Sequence, residues 1–419
     1  MYLRKRHLFF TLVFISSFIA AVVAAIDSSI ISDFSTVYSS EKVPWLFSFS
    51  SFFIGLIVTF LFCIVFSISL HGRSIGSRFL DPSFQRLRLL DRSEIIYHVL
   101  AGFGNAVTTV GYFAVLSLLV DPSMVLSLKQ IVILYLVITE CIVEKNTPTL
   151  IELQSSIIVM FGAILSSISF SGDISIEAIL IMFIVVNPGL VFLSICQRRL
   201  MLLKIKEKPN DSINIRLWNL VFTFGFITLF LMVFDLFNGT SYVIEGVESS
   251  FIFFWPVALS MTVVLFSALA YIRSLRIGKP SVAQAIKAST ILFSVPISFI
   301  LAMFVYIPFP DTPVIWLIRV IGFILIILGI ATFAFSEVKA FVFIKIDPKV
   351  KIKSILDDVG KIKGVESLSV IFGERYDIIA NVHMRTLMKG YTQIIQKLET
   401  TRGIKEFKFV SILKEWENI

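Results

Sequence analysis

The sequence predicts an all-α bundle of ten transmembrane helices over residues 1–336, followed by a small α+β domain over residues 337–419. Hydrophobic residues make up 57% of the chain and charged residues only 16%, whereas a soluble domain is about 45–50% apolar and about 25% charged. Apolar segments of membrane-spanning length recur through the first part. Residues 1–336 hold 40 charged side chains and residues 337–419 hold 26, so the C-terminal segment has the composition of a soluble domain.

Ten apolar segments account for the membrane part. A helix needs about 20 apolar residues to cross a hydrocarbon core about 30 Å thick. The predicted spans are 8–26, 46–70, 95–118, 122–143, 150–169, 174–196, 215–237, 251–272, 281–305 and 313–335. Residues 27–45, between the first two spans, are then a long outer loop. Membrane lipid is an expected partner of these helices.

The basic residues between these spans predict the orientation. One side carries Arg4, Lys5, Arg6, Arg73, Arg78, Arg86, Arg88, Arg92, Lys145, Arg198, Arg199, Lys204, Lys206, Lys208, Arg216, Arg273, Arg276 and Lys279, and the other side only Lys42. Short cytoplasmic loops are enriched in Lys and Arg. We therefore expect a multi-pass protein of the cell membrane with both termini in the cytoplasm.

Several functional classes are not indicated by the composition. The net charge is +8, and many of the basic residues lie in loops between apolar segments, which is not the pattern of a nucleic-acid-binding face. Cys63, Cys141 and Cys196 lack metal or disulfide spacing, and there is no nucleophile elbow or nucleotide-binding loop. We expect no nucleic-acid partner, no metal, no cofactor and no enzymatic activity.

An internal repeat lies within the membrane part. Residues 122–135 and 280–293 both follow the pattern Pro-Ser-x5-Lys-x3-Ile-Leu-aromatic, offset by 158 residues, and Tyr112 and Tyr271 precede them at nearly equal distances. By the predicted topology the two copies enter the membrane from opposite sides. This pattern predicts inverted repeats, a device of secondary transporters that places a solute site near the midplane. Chance similarity among apolar helices is the alternative.

Two inverted five-helix halves, about 1–170 and 171–336, resemble the drug/metabolite transporter superfamily, particularly its EamA-type members. Residues 111–165 and 270–330 are similar to the later part of each EamA repeat. The resemblance implies secondary transport of a small metabolite.

Lys129 and Lys287 are the leading candidate substrate-binding residues. Each lies seven residues past a helix-starting proline, about 10 Å into the membrane at 1.5 Å per residue. An ammonium group there is costly unless it faces water, an anion or a carboxylate. The resemblance to triose-phosphate and nucleotide-sugar transporters also places lysines on the fourth and ninth helices. Snorkelling towards the interface and a structural ion pair are the alternatives.

Three further polar residues are weaker candidates for the substrate site. Gln130 neighbours Lys129, and Asn105 lies among small residues in the third helix. Asn187 precedes Pro188-Gly189, which we expect to kink the sixth helix and to free carbonyl groups towards a cavity. Helix packing alone is the alternative for all three.

The C-terminal segment alternates strand-like and helix-like patterns. The predicted strands and helices are, in order, 338–346, 349–362, 365–372, 376–383, 386–399 and 404–413. The order βαββαβ predicts a ferredoxin-like sandwich.

This segment resembles the effector-binding domain of Lrp/AsnC-type regulators through residues 363–365 and 373–379. The resemblance implies a homodimer or higher homo-oligomer and an effector, often an amino acid, bound at a subunit interface. The resemblance makes four residues candidates for effector binding, namely Gly373, Glu374, Tyr376 and Asp377. An oligomerisation module without a ligand is the alternative.

Taken together, these patterns predict a secondary transporter of a small metabolite, with an amino acid or other carboxylate-bearing solute as the candidate cargo. Its cytoplasmic domain would sense an effector or oligomerise. A membrane-embedded metabolite receptor without transport is the main alternative, and a structural membrane scaffold is another.

Overall fold

The computed structural model describes residues 2–411, except 71, 120–121, 144–149, 167–174, 206, 302, 304–312, 335–337, 349, 351, 363, 372–374, 385–386 and 402. The chain forms two compact units. The membrane unit comprises Met1–Pro148 and Leu153–Ile330, and the C-terminal unit comprises Thr149–Glu152 and Ala331–Ile419. The predicted domain boundary, 336/337, falls outside the described residues.

Helices dominate the first part of the chain. They are α1 Tyr2–Val37, α2 Val43–Ser67, α3 Ile75–Phe79, α4 Arg92–Leu118, α5 Pro122–Lys129, α6 Val132–Val143, α7 Leu150–Ser166, α8 Ile176–Ile181, α9 Asn187–Leu202, α10 Ser212–Asn238, α11 Tyr242–Ile252, α12 Phe254–Ser274, α13 Pro280–Lys287, α14 Thr290–Leu301 and α15 Pro313–Ala334. A π-helical turn, Met182–Val186, joins α8 to α9. Two small hairpins pair β1 Ser69–Leu70 with β2 Arg73–Ser74, and β3 Lys204–Ile205 with β4 Lys208–Pro209.

Eight helical segments within the described chain are long and apolar enough to cross a membrane. They are His7–Val37, Val43–Ser67, Arg92–Leu118, Met124–Val143, Ile176–Leu202, Ser212–Asn238, Phe254–Ser274 and Pro313–Thr332. The chain therefore has the character of a multi-pass membrane protein. The other two predicted spans, 150–169 and 281–305, coincide with α7 and with the pair α13–α14, which are not among the eight, so ten spans stay a prediction.

The first helix is longer than predicted. We expected a span ending at residue 26 and an outer loop over 27–45, but α1 continues to Val37. Residues 27–37 contain no Pro or Gly that would end a helix. The Asp27 carboxylate is buried and accepts a hydrogen bond from Ser260 Oγ at 2.6 Å, so its polarity is satisfied within the bundle.

The helix packing repeats between the two parts of the membrane unit. The first helix of each predicted half packs on the third helix of the other, as α1 on α12 and α9 on α4. The second helix of each half also packs on the third helix of the other half, as α2 on α12 and α10 on α4. Exchanging the two halves therefore leaves this set of contacts unchanged, as a two-fold relation requires.

Glycines allow a close contact between α4 and α9. A Cβ atom on Gly104 would lie 2.7 Å from the carbonyl oxygen of Gly189, and one on Gly189 would lie 2.4 Å from Thr108 Oγ1. Small residues at helix contacts let backbones approach within a membrane.

The C-terminal unit contains β5 Val338–Ile346, α16 Ile352–Gly360, β6 Val365–Val370, β7 Ile378–Met384, α17 Leu387–Thr400 and β8 Ile404–Ser411. The four strands form an antiparallel sheet in the order β6-β7-β5-β8. Alternate residues of β5 (Ala340, Val342 and Ile344) form one core with side chains of both helices, including Ile355 of α16 and Ile394 of α17. Both helices therefore cover the same face of the sheet.

Candidate functional site

Both helices that carry the candidate lysines break immediately after the lysine. The first lysine ends α5 before α6 begins at Val132, and the second ends α13 before α14 begins at Thr290. Backbone hydrogen bonds spanning three residues cross each break, and those of the second copy repeat those of the first at an offset of 158 residues. They run from Gln130 N to Ser127 O, Ile131 N to Leu128 O, Ile133 N to Gln130 O and Leu134 N to Ile131 O, and from Ala288 N to Ala285 O, Ser289 N to Ile286 O, Ile291 N to Ala288 O and Leu292 N to Ser289 O.

The two broken helices cross in antiparallel directions. The first piece of each packs on the second piece of the other, as α5 on α14 and α13 on α6. At one end of the crossing, the Glu140 carboxylate of α6 accepts hydrogen bonds from Ser281 N at 2.9 Å and Ser281 Oγ at 2.5 Å. A carboxylate at the N-terminus of α13 is favoured by the helix dipole. Antiparallel crossing is the arrangement that inverted halves require.

Each lysine lies over a tyrosine ring. Lys129 Nζ is 5.0 Å from the centroid of Tyr112, and Lys287 Nζ is 4.6 Å from that of Tyr271. Cation–π contacts at these distances stabilise an ammonium group without neutralising its charge. Both tyrosines belong to the repeat seen in the sequence, but their residue type alone did not predict this contact.

The two ammonium groups lie within electrostatic range of each other, and Lys129 also interacts with Asp27. Within the described part of the chain, neither lysine has a carboxylate at salt-bridge distance. Both lysine side chains are half-buried, whereas Asp27 is only 3% exposed. We call Asp27, Tyr112, Lys129, Tyr271 and Lys287 the central cluster.

Gln130 and Asn187 lie beside the first break. Asn187 Nδ2 donates to Leu128 O at 3.5 Å, and Gln130 Nε2 donates to Leu126 O at 2.9 Å. The side-chain oxygens of Asn187 and Gln130 are buried and accept no hydrogen bond from the residues that the structure describes. Buried polar atoms are nearly always hydrogen-bonded, so these two oxygens are suited to a solute with hydrogen-bond donors.

The interruption predicted around Asn187 takes the form of the π-helical turn Met182–Val186. Such a turn leaves a carbonyl group outside the regular helical pattern. Thr108 Oγ1 donates to Val186 O at 3.2 Å, so this carbonyl is used in the contact between α4 and the π-helical turn.

Asn105 lies elsewhere. Its Nδ2 donates to Thr223 Oγ1 at 3.1 Å in the contact between α4 and α10, and no described contact joins it to the central cluster. The structure therefore places Gln130 and Asn187 beside the break that follows Lys129, and Asn105 in a helix–helix contact.

The four candidate effector residues are only partly described, because Gly373 and Glu374 lie outside the described residues. The Tyr376 ring lies 5.6 Å from that of Phe343. Asp377 accepts a hydrogen bond from Ile346 N at 2.8 Å and lies 3.9 Å from Lys345 Nζ. These contacts attach the start of β7 to the end of β5.

Potential metal-ligating side chains were compared with the central cluster as a second kind of candidate site among the described residues. Cys63, Cys141 and Cys196 are buried. In the ranges that the structure describes, no three His, Cys, Asp or Glu side chains are grouped so as to hold a metal ion. The central cluster is the candidate site because it holds both candidate lysines over tyrosine rings.

Comparison with known proteins does not assign the chain to a family. No family model matches the chain, and no curated protein matches it. One solved structure, described only as "Crystal structure of protein", is 14% identical, with a TM-score of 0.44, and covers 75% of this chain and 97% of its own. These comparisons support neither the EamA-type nor the Lrp/AsnC-type resemblance, and both stay predictions.

Proposed function

We propose that the protein is a secondary transporter of a small carboxylate-bearing metabolite, with amino acids among the candidate solutes. The main support is the convergence of Lys129 and Lys287 at the breaks of two antiparallel helices. Two neighbouring ammonium groups in an apolar interior repel each other and lose hydration. The negative charge of a solute would offset both effects, and discontinuous helices are typical of transporter solute sites.

Alternating access follows from the same crossing. The Glu140–Ser281 contact joins α6 to α13 at the end that we assign to the cytoplasm. Opening towards the cytoplasm would separate these two pieces, and opening towards the outside would separate α5 from α14. In this proposal the halves are inverted repeats of the drug/metabolite transporter type, and both chain termini are cytoplasmic.

Uptake into proteoliposomes tests the proposal. The purified protein is reconstituted and exposed to the twenty amino acids and a set of small mono- and dicarboxylates, each radiolabelled. We expect saturable uptake of at least one carboxylate solute, absent from protein-free vesicles. Binding of a solute without any uptake would instead favour a membrane receptor.

We further propose that the C-terminal unit is a ferredoxin-like domain through which the protein forms a homodimer or a higher homo-oligomer. The strand order β6-β7-β5-β8 and the placement of both helices on one face support that fold. The opposite face carries Phe341 and Phe343 of β5 and Ile379 of β7, with Asn381 and Lys408 paired beside the two phenylalanines. Its apolar residues are suited to packing on a second copy. Effector binding near Tyr376 and Asp377 is part of the same proposal.

Replacing Phe343 by lysine is expected to convert the oligomer to a monomer, because a charge on this face would be buried in the interface. Light scattering of the detergent-solubilised protein measures the mass. Ile352→Lys is the matched control, since it adds a lysine at a 44% exposed position on α16. An unchanged mass for Phe343→Lys would show that the sheet face is not the interface.

A further inference from the structure

Asp27 is a buried acidic residue in the interior of the bundle, and it has no part in the proposed transport step. The helix α1, which carries it, packs on α5, α13 and α14, the helices that hold or neighbour both lysines. Its carboxylate accepts one short hydrogen bond, from Ser260 Oγ at 2.6 Å. It interacts electrostatically with Lys129 and with Tyr112.

The central cluster has one net positive charge when its two lysines and its aspartate are all ionised. It then contains two ammonium groups and one carboxylate, and the two tyrosines are uncharged at neutral pH. In a medium of low dielectric constant, an uncompensated charge is costly. A solute with one negative charge makes the cluster neutral, whereas a solute with two makes it net negative.

We propose that Asp27 is a specificity-determining residue that limits the solute to a single negative charge, so that monocarboxylates are preferred to dicarboxylates. It acts through the charge balance of the cluster and without contact with the solute. This inference rests on the proposed carboxylate transport and adds a charge class to it. Without the Asp27 charge the cluster would carry two positive charges and would favour a dianion.

Ligand-induced thermal stabilisation of the full-length protein in detergent tests the inference, because a ligand that binds the folded state raises its melting temperature. The probes are two matched pairs that differ by one carboxylate charge, L-lactate with L-malate and butyrate with succinate. Apparent Kd values come from titrations of wild type, Asp27→Asn and Asp33→Asn. Asp33→Asn is the matched control, since it removes an exposed carboxylate from the same helix.

For at least one pair, we expect wild type and Asp33→Asn to bind the singly charged member more tightly. In Asp27→Asn the ratio of the two Kd values should shift by about tenfold or more towards the doubly charged member, because one buried charge has been removed. Asparagine keeps the shape and an oxygen for Ser260 Oγ. If Asp27→Asn does not fold, Asp27→Ser provides a second neutral side chain.

Two results would overturn the inference, and they are distinguishable. An unchanged Kd ratio in the neutral variant would remove the role of Asp27 and leave the lysine site in place. The absence of stabilisation by all four probes, in wild type and variant alike, would overturn both the inference and the proposed carboxylate site.

Discussion

Replacing either lysine of the central cluster by alanine is expected to abolish carboxylate uptake. With Lys129→Ala or Lys287→Ala, the remaining ammonium group is balanced by Asp27, and the solute carboxylate would add an uncompensated negative charge. Removing one partner of a buried charge pair costs about 2–5 kcal/mol, which corresponds to at least about 30-fold in affinity. Initial uptake rates in proteoliposomes with equal amounts of inserted protein measure the loss.

Two variants separate this effect from a general loss of charge or of folding. Lys208→Ala removes an exposed lysine whose only described hydrogen bond, to Gln85 Oε1, is 3.4 Å long, and should leave uptake unchanged. Lys129→Arg keeps the charge and should retain part of the activity. Full uptake by Lys129→Ala would mean that this ammonium group does not contact the solute, as in the snorkelling alternative.

The sequence predicted the lysines but not their carboxylate neighbour, for a physical reason. The repeat pattern marks both lysines directly, because the same residue types recur at a fixed spacing. Asp27 follows an apolar run, where a single acidic residue is normally the end of a span. Its burial depends on Ser260, which is 233 residues away in the chain. A long-range contact of this kind leaves no local signal.

The helix breaks were missed for the same reason. Neither Gln130-Ile131 nor Ala288-Ser289 contains a proline or a glycine, so local propensity predicts continuous helices. The breaks occur where the two helices cross, and tertiary packing overrides the local preference. In the C-terminal unit, by contrast, the order of strands and helices follows the apolar periodicity closely, because each element there has one buried face.

Replacing Arg88 by alanine is expected to destabilise the membrane unit by about 3 kcal/mol, the lower end of the range for breaking a buried ion pair. Arg88 Nη1 and Nη2 donate to the two oxygens of Glu94 at 2.6 and 2.7 Å, and Glu94 is fully buried. Burial lowers the pKa of Arg88, but the hydrogen bonds to Glu94 and its negative charge raise the pKa on balance. Thermal unfolding of the detergent-solubilised protein, followed by circular dichroism, should show a lower Tm.

Stability falls because the Glu94 carboxylate would remain buried without its arginine. Its remaining side-chain partner would be Asn210 Nδ2, which donates to it at 2.6 Å. Arg92→Ala, which removes an exposed arginine from the same helix start, should change stability by less than about 0.5 kcal/mol. The double variant Arg88→Leu/Glu94→Leu should recover most of the stability, because replacing both members of a buried pair by apolar residues is often neutral. If Arg88→Ala and the double variant were equally destabilised, the loss would come from packing of the arginine stem. The sequence marked Arg88 only as one of the basic residues that indicate cytoplasmic orientation. Its ion pair with Glu94 gives it a second role, in the stability of the bundle, which its position in a basic loop does not predict.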